Sequence, residues 1–316
     1  MPDAANLIKE LGEPLVKEAF QDLFSSRITS KKANVILRRF GKRWKDYGRA
    51  ALMVIACKSV GGNPELVSPA AKALILTGGA FDLHDDIIDG SYSRKKNRKK
   101  TIMGYFGREA TLLVGDALLI AGMSELFDLQ DLIPKERFTE VLAVIKDGLF
   151  ELGSAEMDEM SLIRNFDATP RAYLRIVQMK AADVESYLKV GGIIGGGSTK
   201  EVDTLGRFGR LLGMITILRD DIEDTFYDRE ELSSRITRES LPLPLVYSLK
   251  DPDFRKKLES CSESVSRSDL EEILSLVEKN EGFAKTKDVV EGYVKEAKKT
   301  ALQLSNPQML LALFEN

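Results

Sequence analysis

The chain has 316 residues, 43% of them hydrophobic and 30% charged, with a formal net charge of −3. This composition is ordinary for a soluble protein, and no region is basic enough to predict nucleic-acid binding. No uninterrupted apolar run reaches the roughly 20 residues that a membrane span needs, so no span is expected.

Cysteine and histidine are too scarce for several common kinds of site. The two cysteines, Cys57 and Cys261, lie far apart in the sequence, and His84 is the single histidine. Multi-histidine or cysteine zinc sites and Ser-His-Asp triads are therefore not expected. Residues 1–9 lack the basic start and apolar core of a signal peptide. Reduced thiols and a cytoplasmic location are the expectation.

Apolar residues recur at helical period along nearly the whole chain. Helices are predicted over residues 4–25, 30–58, 69–90, 108–129, 134–153, from 170 to the glycines at 191–197, 202–225, 269–279 and 285–304. No stretch alternates with the period of a strand, and no linker is rich in glycine and serine. We therefore predict one all-α domain, a helical bundle covering residues 1–316.

The stretch 81–90 carries the first chemical signal, reading Phe-Asp-Leu-His-Asp-Asp-Ile-Ile-Asp-Gly. Asp85 and Asp89 are four residues apart, so on a helix they lie on the same face. Carboxylates arranged in this way, with Asp86 beside them, are hard oxygen ligands suited to Mg²⁺. An acidic helix face is often only solvated. Here the neighbours Ile87 and Ile88 indicate a cavity wall, where unpaired carboxylates would be costly.

A second copy of this pattern occupies residues 220–224, which read Asp-Asp-Ile-Glu-Asp within another apolar helix. We predict that the two acidic segments face each other and share Mg²⁺ ions around one diphosphate.

A polar, strongly basic loop, residues 91–100, follows the first segment. Such a run is often only a solvated loop, but arginine and lysine are the usual partners of phosphate. Lys180, alone among apolar helix residues, is either a snorkelling surface group or a further phosphate ligand.

Taken together, these landmarks resemble the trans-prenyltransferase family, the isoprenyl diphosphate synthases or polyprenyl synthetases, from about Arg49 to Leu249. The matching segments are His84 to Asp89, Arg94-Lys95, Gly115 to Leu119, Lys180 to Ala182, Asp220 to Asp224 and Leu241-Pro242. The resemblance implies the isoprenoid synthase fold, a homodimer and three Mg²⁺ ions per site. It also implies ionisation of an allylic diphosphate, followed by attack of isopentenyl diphosphate and loss of a proton.

The resemblance also implies roles for individual residues. The metal would be held by Asp85, Asp89 and Asp220, with Asp221 and Asp224 completing the metal site and Asp86 supporting it. The catalytic set would be Asp85, Asp86, Asp89, Lys180 and Asp220. The substrate-binding set would be Arg49, Arg94, Lys95, Lys180 and Arg238, of which Arg94 and Lys180 hold the allylic diphosphate.

The sequence departs from the family mainly where isopentenyl diphosphate would bind. The family's basic patch aligns with residues 45–50, where Arg49 is retained but the key lysine is replaced by Asp46. A family histidine or glutamine is replaced by Gly78, and the second arginine of the basic loop is Lys95. Asp82 stands where an apolar residue is usual. We hypothesise that Lys42, Arg43 or the bases Arg98 to Lys100 compensate for these losses.

The acidic motifs are retained, whereas the site for isopentenyl diphosphate is altered, and three functions fit this combination. We favour a Mg²⁺-dependent isoprenyl diphosphate synthase. One alternative is a class I terpene synthase or cyclase that has lost its acceptor, and another is a non-catalytic regulatory subunit. Product length is predicted from Phe81, which is bulky and lies one turn before Asp85. In the family, side chains there form the floor of the product pocket, so short to medium products are expected.

Overall fold

The protein is described by a computed structural model that covers residues 4–25, 30–93, 99–261 and 265–315. Within these ranges the chain forms α-helices and no strand, apart from two isolated bridges, Ser93 with Lys100 and Ile163 with Ser240. The helices are α1 Ala4–Ser25, α2 Lys31–Arg43, α3 Gly48–Ser59, α4 Ser68–Ile88, α5 Ile102–Phe106, α6 Arg108–Leu129, α7 Lys135–Met160, α8 Pro170–Lys180, α9 Ala182–Ile194, α10 Thr199–Phe226, α11 Arg229–Thr237, α12 Leu243–Ser248, α13 Pro252–Ser260, α14 Arg267–Lys279, α15 Gly282–Ala301 and α16 Gln308–Ala312.

The described chain divides into two compact units. The first comprises Met1–Lys146, Ser186–Gly206 and Thr300–Asn316, and the second comprises Asp147–Glu185 and Arg207–Lys299. The all-α architecture is as predicted. A single domain over the whole chain stays a prediction.

Helix α4 is the central helix of the first unit. Its residues from Pro69 to Ala80 are all buried, as expected for a helix that is apolar on every side. It packs mainly against α6 and also against α1 and α3. Two glycines of α6 permit the close approach, because a Cβ atom at Gly122 would lie 2.6 Å from the Ala73 carbonyl oxygen, and one at Gly115 would lie 2.5 Å from Nε2 of His84. This packing positions the end of α4, where the first acidic motif lies.

The second unit is built around the short helix α12, which packs against α8 and α14, while α14 also contacts α11 and α13. Its large core side chains include Tyr173, which is fully buried together with Phe208 and Phe254. Asp228 caps the N-terminus of α11 by accepting hydrogen bonds from the amides of Glu230 and Glu231. This unit holds the second acidic motif near the C-terminal end of α10.

Two helices are long and apolar enough to cross a membrane by length and composition, one at Pro64–Ile88 and one at Arg108–Leu129. The prediction from uninterrupted apolar runs overlooked both. The apolar window of the first is 78% buried inside the protein, as in the core helix of a soluble protein, whereas that of the second is only 28% buried. Two such helices are weak evidence for a membrane span, but α6 leaves an apolar face uncovered in the described chain.

The helix predicted over residues 30–58 is wrong in one respect, because the chain leaves helical geometry between α2 and α3. Trp44 is extended, with φ −63° and ψ 125°. The Asp46 carboxylate accepts a hydrogen bond from the Gly48 amide at 2.8 Å, and the Trp44 indole donates to the Asp46 carbonyl oxygen at 3.2 Å. Asp46 thus forms a local turn that starts α3, a common use of aspartate outside helices.

Candidate active site

The first acidic motif lies at the C-terminal end of α4. Asp85 and Asp89 are exposed, whereas Asp86 between them is buried and only 4% exposed. The helix ends at Ile88, and Gly90 then adopts φ +64°, a left-handed conformation that favours glycine. The structure therefore presents the two predicted metal ligands to solvent and turns Asp86 inward. The prediction that Asp85 and Asp89 share a helix face agrees with this geometry.

The single histidine packs beside this motif. His84 Nε2 lies 3.3 Å from Oδ1 of Asp116 on α6, and Gly115 leaves the space that the imidazole occupies. This contact explains why a Gly-Asp pair is useful within α6: the glycine admits the ring and the aspartate faces it. The pair thus helps to hold the residue that precedes Asp85.

The second acidic motif has the same pattern in α10, with Asp220 exposed and Asp221 buried. Asp221 is 1% exposed, and both its oxygens are engaged. The Tyr173 hydroxyl donates to it at 2.8 Å, Nη2 of Arg235 at 2.6 Å and the Leu243 amide at 3.0 Å. The predicted place of Asp221 in the metal site stays a prediction, while these bonds hold its carboxylate inside the core. Asp221 anchors the motif.

Asp220 and Asp224 are the other aspartates of the second motif, and Asp224 lies 3.8 Å from Nε of Arg235. Asp220 is exposed, yet desolvation by nearby protein atoms, assisted by the carboxylates of Asp221 and Glu223, raises its pKa to about 6. Desolvation also raises the pKa of Asp224 to about 7, against the opposing effect of Arg235. Carboxylates held this close together repel one another when ionised, so a cation between them would be stabilising.

Lys180 is held by two carboxylates that the sequence analysis did not assign. Its ammonium group pairs with Glu159 and lies 3.2 Å from Glu156. Glu159 also accepts a hydrogen bond from the Ser240 hydroxyl at 2.7 Å. Burial opposes the charge of Lys180, but Glu159 and Glu156 outweigh burial and raise its pKa. Lys180 is therefore a positioned, charged lysine at the end of α8 and not a snorkelling surface group.

Arg49 lies in the first unit within a network of its own. It forms an ion pair with Asp46, its Nη2 lies 3.8 Å from Asp82, and its Nε donates to the Tyr187 hydroxyl at 3.0 Å. Desolvation disfavours the charge, but Tyr187, Asp46 and Asp82 outweigh it and raise the pKa of Arg49. Arg49 is the retained arginine of the basic patch at which isopentenyl diphosphate would bind. Its charge is thus neutralised by Asp46 and Asp82, two of the residues that depart from the family.

A cavity of about 560 Å³ opens beside this network in the first unit. Basic, acidic and apolar side chains line it: Phe40, Lys42, Arg43, Trp44, Lys45, Asp46, Asp82, Leu83, Asp86, Lys99, Lys100, Thr101 and Ile102. The hypothesised compensating bases Lys42, Arg43, Lys99 and Lys100 are therefore gathered around one space. Arg98, the other base of that hypothesis, lies outside the described residues.

Of the remaining predicted substrate-binding residues, the structure describes Arg238. Arg94 and Lys95 lie outside the described residues. Arg238 is exposed at the C-terminal cap of α11, where its amide donates to the Ser234 carbonyl oxygen.

Four residues of the site were missed, namely Glu156, Glu159, Tyr173 and Arg235. The two glutamates lie more than 60 residues from either acidic motif along the chain, and a single tyrosine or arginine in a helix carries no local signal of its partner.

Comparison with known proteins agrees with this arrangement. The polyprenyl synthetase family matches residues 27–279. The short chain isoprenyl diphosphate synthase of Methanothermobacter thermautotrophicus is 25% identical over 235 residues, which cover 74% of this chain and 69% of that protein. The crystal structure of geranylgeranyl pyrophosphate synthetase from Pyrococcus horikoshii has a TM-score of 0.86 at 22% identity, covering 98% of this chain and 95% of the other.

A third similar protein, the polyprenyl synthase from Caulobacter crescentus, was crystallised with calcium and isoprenyl diphosphate. It has a TM-score of 0.82 at 20% identity, covering 99% of this chain and 97% of the other. At these identities the solved structures establish the fold, and the family match extends over most of the sequence. Both confirm the predicted all-α isoprenoid synthase fold, and the predicted trans-prenyltransferase activity is confirmed as well: the chain belongs to the polyprenyl synthetase family.

Proposed function

We propose that this protein uses Mg²⁺ to ionise an allylic diphosphate and condenses the resulting cation with isopentenyl diphosphate, giving a longer isoprenyl diphosphate. The observation that carries the proposal is the shared pattern of the two acidic motifs. In each, the second aspartate is buried, as Asp86 or Asp221, while the first is exposed, as Asp85 or Asp220. One carboxylate of each motif is thus fixed in the core so that its neighbours are presented to a ligand.

The donor set fits Mg²⁺. Exposed carboxylate oxygens are the ligands that this ion prefers, and it usually completes its shell with water and substrate phosphates. Among the described residues, no group of three histidine, cysteine, aspartate or glutamate side chains forms a ready metal cage. Asp85, Asp89 and Asp220 would hold the metal, with Asp224 close to it, and the resemblance suggests three ions. Bound there, the metal would neutralise the charge that develops on the leaving diphosphate.

The protein's own residues have separate tasks in this reaction. Lys180 keeps one of its three ammonium N–H donors beyond those that face Glu156 and Glu159, and it is proposed to bind the allylic diphosphate together with Arg94. Arg238, exposed at the end of α11, is proposed to assist. The buried Tyr173 and the half-buried Arg235 keep Asp221 in place, so that Asp220 and Asp224 need not reorganise when the diphosphate ionises.

We also propose that the protein is a homodimer that associates through α6. Leu113, Ile120 and Phe127 recur every seven residues on this helix and are 68%, 67% and 70% exposed. Such a stripe is typical of a helix that packs against another helix.

A cytoplasmic location is proposed on the free thiols Cys57 and Cys261, which are both buried and unpaired with each other.

The reaction is tested by incubation with Mg²⁺ and geranyl or farnesyl diphosphate, with and without isopentenyl diphosphate, and by mass analysis of the products. A longer diphosphate that forms only with isopentenyl diphosphate is expected. A hydrocarbon or alcohol released without it would instead establish the cyclase alternative. No product in either reaction would favour the regulatory subunit, and omission of Mg²⁺ is the control.

A further inference from the structure

Arg49 and three neighbouring departures from the family form one structure in the first unit. A Cβ atom at Gly78 would lie 2.6 Å from Nε of Arg49, so the arginine occupies the space that a larger side chain would fill. Asp82, one turn further along α4, lies 3.8 Å from the same guanidinium, and Asp46 pairs with it. The arginine also lies 5.5 Å from the ring centre of Trp44. These substitutions are therefore coupled and surround Arg49.

The consequence is that Arg49 is not available to an incoming anion. Its single positive charge already faces two carboxylates, and Tyr187 accepts its Nε–H. Asp46 cannot move away freely, because its Oδ1 accepts from the Gly48 amide in the turn that starts α3. A diphosphate at Arg49 would have to displace Asp46 and would meet the repulsion of Asp46 and Asp82.

Other cations border the adjacent cavity. Lys42 and Lys45 come from the end of α2 and the turn after it, and Lys100 comes from the segment before α5. Nη1 of Arg43 donates to the Lys100 carbonyl oxygen at 2.9 Å and so joins the two segments. Within the described ranges of the chain, Lys42, Lys45 and Lys100 form no ion pair. Nζ of Lys100 lies 5.9 Å from the Tyr105 ring centre. With Arg43 and Lys99, these lysines give the lining five cations against the three carboxylates of Asp46, Asp82 and Asp86, so positive charge is in excess.

We infer that this cavity is a displaced diphosphate site, in which Lys45 and Lys100, one from each segment, bind the acceptor's diphosphate in place of Arg49. The inference rests on the proposed function for the identity of the acceptor. Two ammonium groups on flexible stems can bind a diphosphate as point charges, as lysine does in other phosphate sites. The volume of about 560 Å³ is large enough for a small diphosphate ester.

The site is tested by calorimetric titration of the whole protein with isopentenyl diphosphate and, separately, with inorganic diphosphate, without metal and without allylic substrate. Omitting the metal keeps the acidic motifs out of the measurement. Trp44 is the only tryptophan and lines the cavity, so its fluorescence reports where the ligand binds. Binding of both ligands with a change in Trp44 emission is expected. In K45Q/K100Q the Kd of both should rise at least about tenfold, a factor that corresponds to about 1.4 kcal/mol.

The matched control is K58Q/K200Q, which removes two exposed lysines that do not line the cavity and should bind as the wild type does. Equal affinity of K45Q/K100Q and wild type would overturn the inference, and so would the absence of binding to the wild type. Circular dichroism checks that each variant is folded. If K45Q/K100Q still elongates the substrate with an unchanged KM for isopentenyl diphosphate, the cavity site is rejected and the proposed reaction stands. If diphosphate binding depends on the two lysines but the protein elongates nothing, the proposed reaction is rejected and the cavity site stands.

Discussion

Arg235 on α11 donates from Nη2 to Oδ1 of Asp221 on α10 across 2.6 Å, and the Asp221 side chain is 1% exposed. The same guanidinium lies 3.8 Å from Asp224 and 3.9 Å from Glu239. One largely enclosed cation, whose side chain is 14% exposed, therefore connects the inner aspartate of the second acidic motif with its last aspartate. Buried charges of this kind are stable only while every partner is present.

Arg235→Gln should destabilise the protein by about 3 kcal/mol, because it leaves Asp221 buried without its counter-ion. The measurement is the free energy of unfolding in urea, monitored by circular dichroism. Arg229→Gln is the control, since Arg229 is exposed at the start of the same helix and should change stability little. Equal stability of the two variants would contradict the assigned role of Arg235.

Asp220→Asn and Asp221→Asn should separate activity from stability, although the residues are adjacent. Asp220 is exposed and proposed as a metal ligand, so its replacement should lower kcat/KM by about 10²–10³-fold with little effect on unfolding. Asp221→Asn leaves the half-buried Arg235 short of one carboxylate and should lower the free energy of unfolding by about 3 kcal/mol. Urea unfolding and steady-state kinetics on both proteins check the contrast. A stable, inactive Asp221→Asn would instead favour the predicted place of Asp221 in the metal site.

The sequence was sufficient to predict the acidic motifs because they are local. Asp85 and Asp89 lie four residues apart, and helical geometry alone places them on one face. The helices over 4–25 and 108–129 were also predicted at their observed bounds, since an unbroken apolar period defines them. The burial of Asp221 could not be predicted, for the opposite reason. Its burial depends on Tyr173 and Leu243, which are distant in the sequence and meet it only in the folded unit.

The turn at Asp46 is a second feature that could not be predicted from the sequence alone. Residues 30–58 keep a helical period, so the break after Arg43 could not be predicted from periodicity. It follows from the Asp46 turn, a local bond that competes with the helix. Likewise Gly78 and Asp82 were recognised as departures, but their common cause, the packing of Arg49, requires the three-dimensional contact.

Ile120→Asp should convert the proposed homodimer into a monomer. The residue lies in the middle of the exposed stripe of α6, where an unpaired carboxylate would be buried on association at a high cost. Molar mass is measured by size-exclusion chromatography with light scattering. Val35→Asp is the control, because Val35 is 59% exposed on α2, outside that stripe. A wild-type protein that is already monomeric, or an Ile120→Asp dimer, would contradict the α6 interface.

Phe81→Ala should lengthen the product by one or more five-carbon units. Phe81 is half-buried on α4 and lies one turn before Asp85, so it projects from the same face as the proposed metal ligands. The resemblance places the floor of the product pocket there, and removing the ring would deepen the pocket along the growing chain. Products from farnesyl and isopentenyl diphosphate are compared by mass. Phe283→Ala, a partly exposed phenylalanine on α15 that packs against Phe226, is the control and should leave chain length unchanged. An unaltered product from Phe81→Ala would mean that other side chains limit the chain.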